Sequence, residues 1–212
     1  MGNPDWFRKT TWTAQDRDDF FAHLQRSHKQ NRVQYLKIQA YHLYETATLE
    51  AIEAALELTN LALTEYPQKT FLAELYEQKA VCLNILGNLQ EAENAFRLAF
   101  DSMRAVPNVK PNTQFSFGLF VIEHKINRLY KEAIMVLDEF TDRLEFPFIE
   151  YYYYGIHAVI LNREGSSVEA KILAIKALQA FEKEHSGFSR HPKVGLVNRP
   201  SRIIHSELQR LV

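Results

Sequence analysis

Three stretches of the chain repeat one arrangement of side chains, and this repetition restricts the possible folds more than any other feature. They are Tyr35-Leu36-x3-Ala40-x2-Leu43, Leu75-Tyr76-x3-Ala80-x2-Leu83 and Tyr153-Tyr154-x3-Ala158-x2-Leu161. On a helix the bulky residue, the small one four later and the leucine three after that share one face. A small residue between two large ones lets a second helix approach closely, as ridges-into-grooves packing requires. The pattern therefore predicts paired helices. Turn chemistry agrees, because 7 Gly and 7 Pro in 212 residues are too few for a β-sandwich or barrel. With 46% hydrophobic and 24% charged residues, the chain falls in the globular range and not the disordered one.

Each first helix is followed by a second with its own small residues. The clearest case is Leu86-Gly87-Asn88-Leu89-Gln90-Glu91-Ala92-x3-Phe96-x2-Ala99-Phe100. Its glycine permits a tight turn, and Ala92 sits where the two helices cross. Arg163-Glu164-Gly165 leads in the same way to Ala170, Ala174, Ala177 and Leu178. Arg128-Leu129-Tyr130 leads to Ala133, Leu137 and Phe140, while Ala55, Ala62 and Leu63 precede Pro67. Taking Ala55, Ala92, Ala133 and Ala170 as equivalent gives separations of 37, 41 and 37 residues. In the third unit Val121 and His124 stand where the small residue and the leucine are expected, and no glycine precedes Leu129.

Over residues 33–185 this arrangement resembles the tetratricopeptide repeat, whose period is about 34, so the connections here are longer. The resemblance implies an all-α fold: a right-handed α-α superhelix of about four helical hairpins, with an N-terminal capping helix and a short C-terminal helix. It also implies a concave surface lined mainly by the first helix of each hairpin. Carrying the family's inner-face positions onto the matched helices selects Lys37, Tyr41 and Tyr44, then Glu77 and Asn84. Lys125 follows from the third unit, and Tyr152, Asn162 and Arg163 from the fourth. Tyrosine, asparagine and both charge signs together suit a specific polypeptide epitope better than a uniformly anionic ligand. A rigid curved surface preorganises such groups, which lowers the ordering cost of binding.

The ends of the chain flank this array within a single domain. Residues 1–32 comprise an extended aromatic segment and a first helix packed on the array. Trp6, Phe7 and Trp12 lie in the segment beside Asn3 and Pro4, and Thr13 caps a helix from about Ala14 to Ser27, with Asp16 in its first turn. Phe20, Phe21 and Leu24 form its apolar face. Residues 186–212 comprise a loop rich in Ser, Gly and Pro, then a capping helix opened by Ser201 with Ile204, Leu208 and Leu211 on one face.

The sequence contains no phosphate-binding glycine loop, dinucleotide turn, nucleophile elbow or His-Glu-x-x-His motif, so no enzymatic activity and no cofactor are expected. Eight histidines are dispersed; His23 and His28 lie five apart on different helix faces, and no metal site is expected. The lone Cys82 lies in an apolar helical pattern and reads as a small buried hydrophobe. A formal net charge of -1 disfavours nucleic acid as partner, and Arg26, His28, Lys29, Arg32 and Lys37 read as a solvated helix end. An RNA-binding or nuclease-related helical protein, contacting RNA through Arg26, Lys29 and Arg32, is a further reading. Of Tyr151 to Tyr154, Tyr154 takes the core position and Tyr152 the inner side. Without an apolar leader or an 18-residue apolar run, a cytoplasmic protein off the membrane is expected. The functional expectation is a non-catalytic module that binds another protein or peptide, most concretely a toxin-immunity protein. A peptide- or ligand-sensing regulator and an assembly chaperone or scaffold subunit are the alternatives, and homo-oligomerisation is left open.

Overall fold

The computed structural model describes residues 5–212, so Asn3 and Pro4 lie outside the described residues, and Asp5 to Phe7 form a turn rather than an extended segment. Ten α-helices and no strands occur among them. The helices are α1 (Ala14–Arg26), α2 (Lys29–Tyr44), α3 (Leu49–Glu65), α4 (Lys69–Ile85), α5 (Leu89–Ala105), α6 (Thr113–Glu123), α7 (Tyr130–Phe140), α8 (Pro147–Arg163), α9 (Ser167–Phe181) and α10 (Arg202–Leu211). A single 3-10 turn, Asn127–Leu129, precedes α7. Neighbouring helices pack in pairs, and the chain divides between Thr113 and Gln114 into two compact units.

In the first unit, α2 pairs with α3 and α4 with α5. Its core gathers Phe20 and Leu24 of α1, Val33, Leu36, Ala40 and Leu43 of α2, Leu58 and Ala62 of α3, and Leu75 and Cys82 of α4. Helix α1 starts at a capping box, in which Thr13 Oγ1 accepts from the Asp16 amide and the Thr13 amide donates to Asp16 Oδ2. The Lys9 ammonium, 2.9 Å from Asp16 Oδ1, and the Thr13 and Thr11 hydroxyls hold that carboxyl well below the usual range. Trp6, Phe7 and Trp12 of the aromatic segment are half-buried against this unit. Trp6 contacts Phe20, His23 and Tyr35, and Trp12 meets Phe20 edge-on at 5.5 Å. Gln39, completely buried, fixes the segment's backbone: its Oε1 accepts from the Lys9 amide at 3.0 Å and its Nε2 donates to the Lys9 carbonyl at 2.7 Å. Both polar ends of the buried amide are thereby satisfied.

In the second unit, α8 and α9 pair, and α10 packs across both. Ser201 caps α10, and Ile204 and Leu208 are fully buried. The connection before α10 is held by one local bond and one to the start of α8: the Ser186 amide donates to the Pro192 carbonyl at 2.8 Å, and the Phe148 amide to the Gly195 carbonyl at 2.8 Å.

The hairpin turns reveal the register. Ala47, Gly87, Lys125 and Gly165 all have positive φ, at 57°, 79°, 51° and 93°, and lie 40, 38 and 40 residues apart. Each follows a buried or half-buried aliphatic residue (Leu43, Leu83, Val121 or Leu161) by four positions, and three positions before that residue stand Ala40, Ala80, Gly118 and Ala158. The third hairpin therefore keeps the pattern three residues earlier than the sequence reading places it. Gly118, not Val121, is the small residue, and Val121, not His124, takes the leucine position. Close packing explains the glycine, since a Cβ there would lie 2.7 Å from Ile156 Cδ1 and 2.9 Å from Ile156 Cγ2. Five residues after each turn residue come Ile52, Ala92, Tyr130 and Ala170, all buried. Ala55 and Ala133 lie three residues beyond Ile52 and Tyr130, nearly one helical turn on the same face, which is why counting alanines gave uneven spacings.

Candidate functional site

The candidates fall into two groups, one in each unit. In the first, Lys37, Tyr41 and Tyr44 project from α2 at helical spacing, and Glu77 and Asn84 from α4. Lys37 forms an ion pair with Glu74, and its ammonium lies 5.1 Å from the Phe71 ring centre, where burial lowers its pKa. Tyr41 is 46% exposed and meets the Tyr44 ring edge-on at 5.2 Å. Burial pushes the Tyr44 hydroxyl pKa upward, and the charges of Glu45 and Glu77 add to the effect. Glu77 Oε2 accepts from the Thr113 hydroxyl at 3.0 Å. Asn84 is half-buried, and its carbonyl accepts the Gly87 amide in the turn. Within the unit, α2 and α4 are tied together below these groups by Gln78, whose Nε2 donates to the Lys37 carbonyl at 3.2 Å and whose Oε1 accepts from Thr59 at 3.2 Å.

In the second unit, Lys125, Asn162 and Arg163 line one open cleft of about 470 Å³ together with Glu207, Arg210 and Leu211. Arg163 is its fixed element. One guanidinium nitrogen donates to the Ile122 carbonyl at 2.8 Å and to the Tyr130 hydroxyl at 3.1 Å, and another pairs with Glu207. Burial works against its charge, but the bonds to Tyr130 and Glu207 outweigh it. Lys125 and Arg210 are exposed at the rim. Three cations face one carboxylate, so the cleft carries an excess of positive charge.

Tyr152 does not line this cleft. It is 7% exposed, packs on Phe115 and Phe148, and donates to the Arg199 carbonyl at 3.4 Å. The other tyrosines of the run are also engaged: Tyr151 is fully buried, Tyr153 donates to Asp138 at 2.7 Å, and Lys176 lies over Tyr154. Tyr151, not Tyr154, is the deepest of the four. Sequence reasoning missed Glu207 and Arg210. They lie on the polar side of α10, one residue before Leu208 and one before Leu211, and only the apolar face of that helix drew attention.

Several residues outside these groups have structural partners. Cys82 is completely buried and its thiol is pushed up to about 12. Arg32 donates to the Gln25 carbonyl at 2.7 Å and lies over the Tyr66 ring, and Arg26 donates to the Ala22 carbonyl. Among the described residues, no three His, Cys, Asp or Glu side chains converge, and no helix is long and apolar enough to cross a membrane. No family model, curated protein or solved structure matches the chain.

Proposed function

We propose that this chain is a tetratricopeptide-like protein-binding module whose hairpins stack as a right-handed superhelix, and that it acts by occupying a partner rather than by catalysis. The observation that carries the reading is the cleft of the second unit, where Lys125, Asn162 and Arg163 meet Glu207 and Arg210. Arg163 is held by three bonds, so its position is set before any partner arrives. The exposed Lys125 and Arg210 leave positive charge for an acidic side chain of a polypeptide, while Asn162 and Glu207 restrict which epitope fits. Tyr41 and Tyr44 of the first unit, with Glu77 near Tyr44, supply an aromatic surface of the kind favoured at protein interfaces. In its most concrete form this is a cytoplasmic partner-neutralising protein such as a toxin-immunity protein, with an assembly chaperone or scaffold subunit as the alternative. Affinity capture with the tagged chain tests it. A stoichiometric polypeptide is expected, its yield reduced by the K125E/R210E double variant; recovery of none, or an undiminished yield from the variant, removes the proposal.

A regulator sensing a short peptide or small ligand is the second reading, supported by the size of the cleft, which falls within the roughly 300–1,000 Å³ of ligand sites. A thermal-shift screen with peptides separates the two. A ligand at 100 times its dissociation constant adds about 2.7 kcal/mol, and a library without any stabilising member counts against sensing.

A further inference from the structure

The outer face of α9 is apolar where the equivalent face of α5 is polar. Three, seven and ten residues after the turn glycine, α5 carries Gln90, Asn94 and Arg97, whereas α9 carries Val168, Ile172 and Ile175. The three aliphatic side chains of α9 are 80%, 53% and 37% exposed. The inward face of α9 is occupied separately by Ala170, Ala174, Ala177 and Ala180, all buried. The hairpin architecture thus does not require the outer aliphatic stripe, and its exposure has a cost that a covering surface would remove.

Spacings of four and then three place Val168, Ile172 and Ile175 on a coiled-coil seam, with Glu169 and Lys176 along one flank and Lys171 along the other. We propose that α9 pairs antiparallel with α9 of a second copy of this chain, giving a two-fold symmetric dimer. Charge selects both occupant and direction. In the antiparallel arrangement Glu169 faces Lys176 of the second copy, and symmetry makes this attraction twice. A parallel arrangement sets Lys171 against Lys176, one like-charge pair on each side. The Lys176 ammonium lies over the Tyr154 ring at 5.2 Å, which holds it along the same flank. A contact of two to three helical turns is smaller than the roughly 800 Å² per partner of a standard stable interface, so the dimer is weak and concentration-dependent.

Sedimentation velocity of the full chain from roughly 10 µM to 1 mM tests this, with circular dichroism to establish that each surface variant stays folded. The wild-type chain is expected to shift from monomer to dimer across that range. I172E places two carboxylates at the symmetric centre and is expected to abolish the dimer. E169K and K176E each turn both cross-copy attractions into repulsions, weakening association about tenfold, and the E169K/K176E double variant restores it to within about twofold. A monomer throughout, or a dimer indifferent to I172E, overturns the proposal. So do single charge reversals that leave association unchanged or strengthen it, and a double variant that fails to recover.

Discussion

The second and third hairpins turn with the same hydrogen bonds but from different residues. Between α4 and α5 the Asn88 amide reaches the Leu83 carbonyl at 2.9 Å and the Gly87 amide reaches the Asn84 carbonyl at 3.0 Å. Between α6 and α7 the Ile126 amide reaches the Val121 carbonyl at 3.0 Å and the Lys125 amide reaches that of Ile122 at 3.3 Å. Both are Schellman turns. Gly87 adopts its positive φ without a side-chain clash, whereas Lys125 pays for the same conformation through its Cβ, a cost of roughly 1 kcal/mol. The third turn is braced from outside, because Arg163 of α8 bonds the Ile122 carbonyl just before it and the Tyr130 hydroxyl just after it. The second hairpin is encoded within its own turn; the third depends on a neighbour. The same Lys125 and Arg163 line the cleft, so the conformation that costs stability also presents a candidate binding group.

Four substitutions probe this contrast. The largest effect is expected where the third hairpin meets its neighbour: Gly118→Leu drives a side chain into Ile156 and should cost about 3 kcal/mol, read as a fall of roughly 10 °C in Tm. Arg163→Ala removes the brace and leaves the Glu207 carboxylate without its partner; chemical denaturation should show a loss of about 2 kcal/mol. If the third turn is self-sufficient, that loss will be much smaller. Gly87→Ala imposes on the second turn the cost that Lys125 already bears, and a loss of about 1 kcal/mol is expected by the same assay. The smallest effect has the opposite sign: Lys125→Gly should stabilise by about 0.5 kcal/mol, since relief of the turn exceeds the added freedom of the unfolded chain. The same variant should weaken capture of a partner.

The contrast also explains what was legible in the sequence. A glycine before a polar N-cap announces its turn, so the Gly87 and Gly165 turns could be read directly. A lysine at positive φ leaves no such mark, and without it the third unit was aligned one helical turn late, with Val121 and His124 assigned roles that Gly118 and Val121 hold. Helix α1 was readable because Thr13 and Asp16 form a local cap that needs nothing from the rest of the fold. The cleft was readable in part. Helical register brought forward Lys125, Asn162 and Arg163, but Glu207 and Arg210 reach them only because α10 folds back over α8 and α9, a long-range event with no local signal. Tyr152 shows the converse, since four consecutive tyrosines do not disclose which ring will be covered by Phe115, Phe148 and the Arg199 backbone.

All of this rests on one hairpin register used four times, and the backbone angle at the four turn residues measures it most directly. Scalar couplings and backbone chemical shifts from the isotope-labelled chain report the sign of φ at Ala47, Gly87, Lys125 and Gly165. Positive values at all four, including the two that carry a Cβ, are the expected result. A negative φ at Ala47 or Lys125 would break the register and contradict the account.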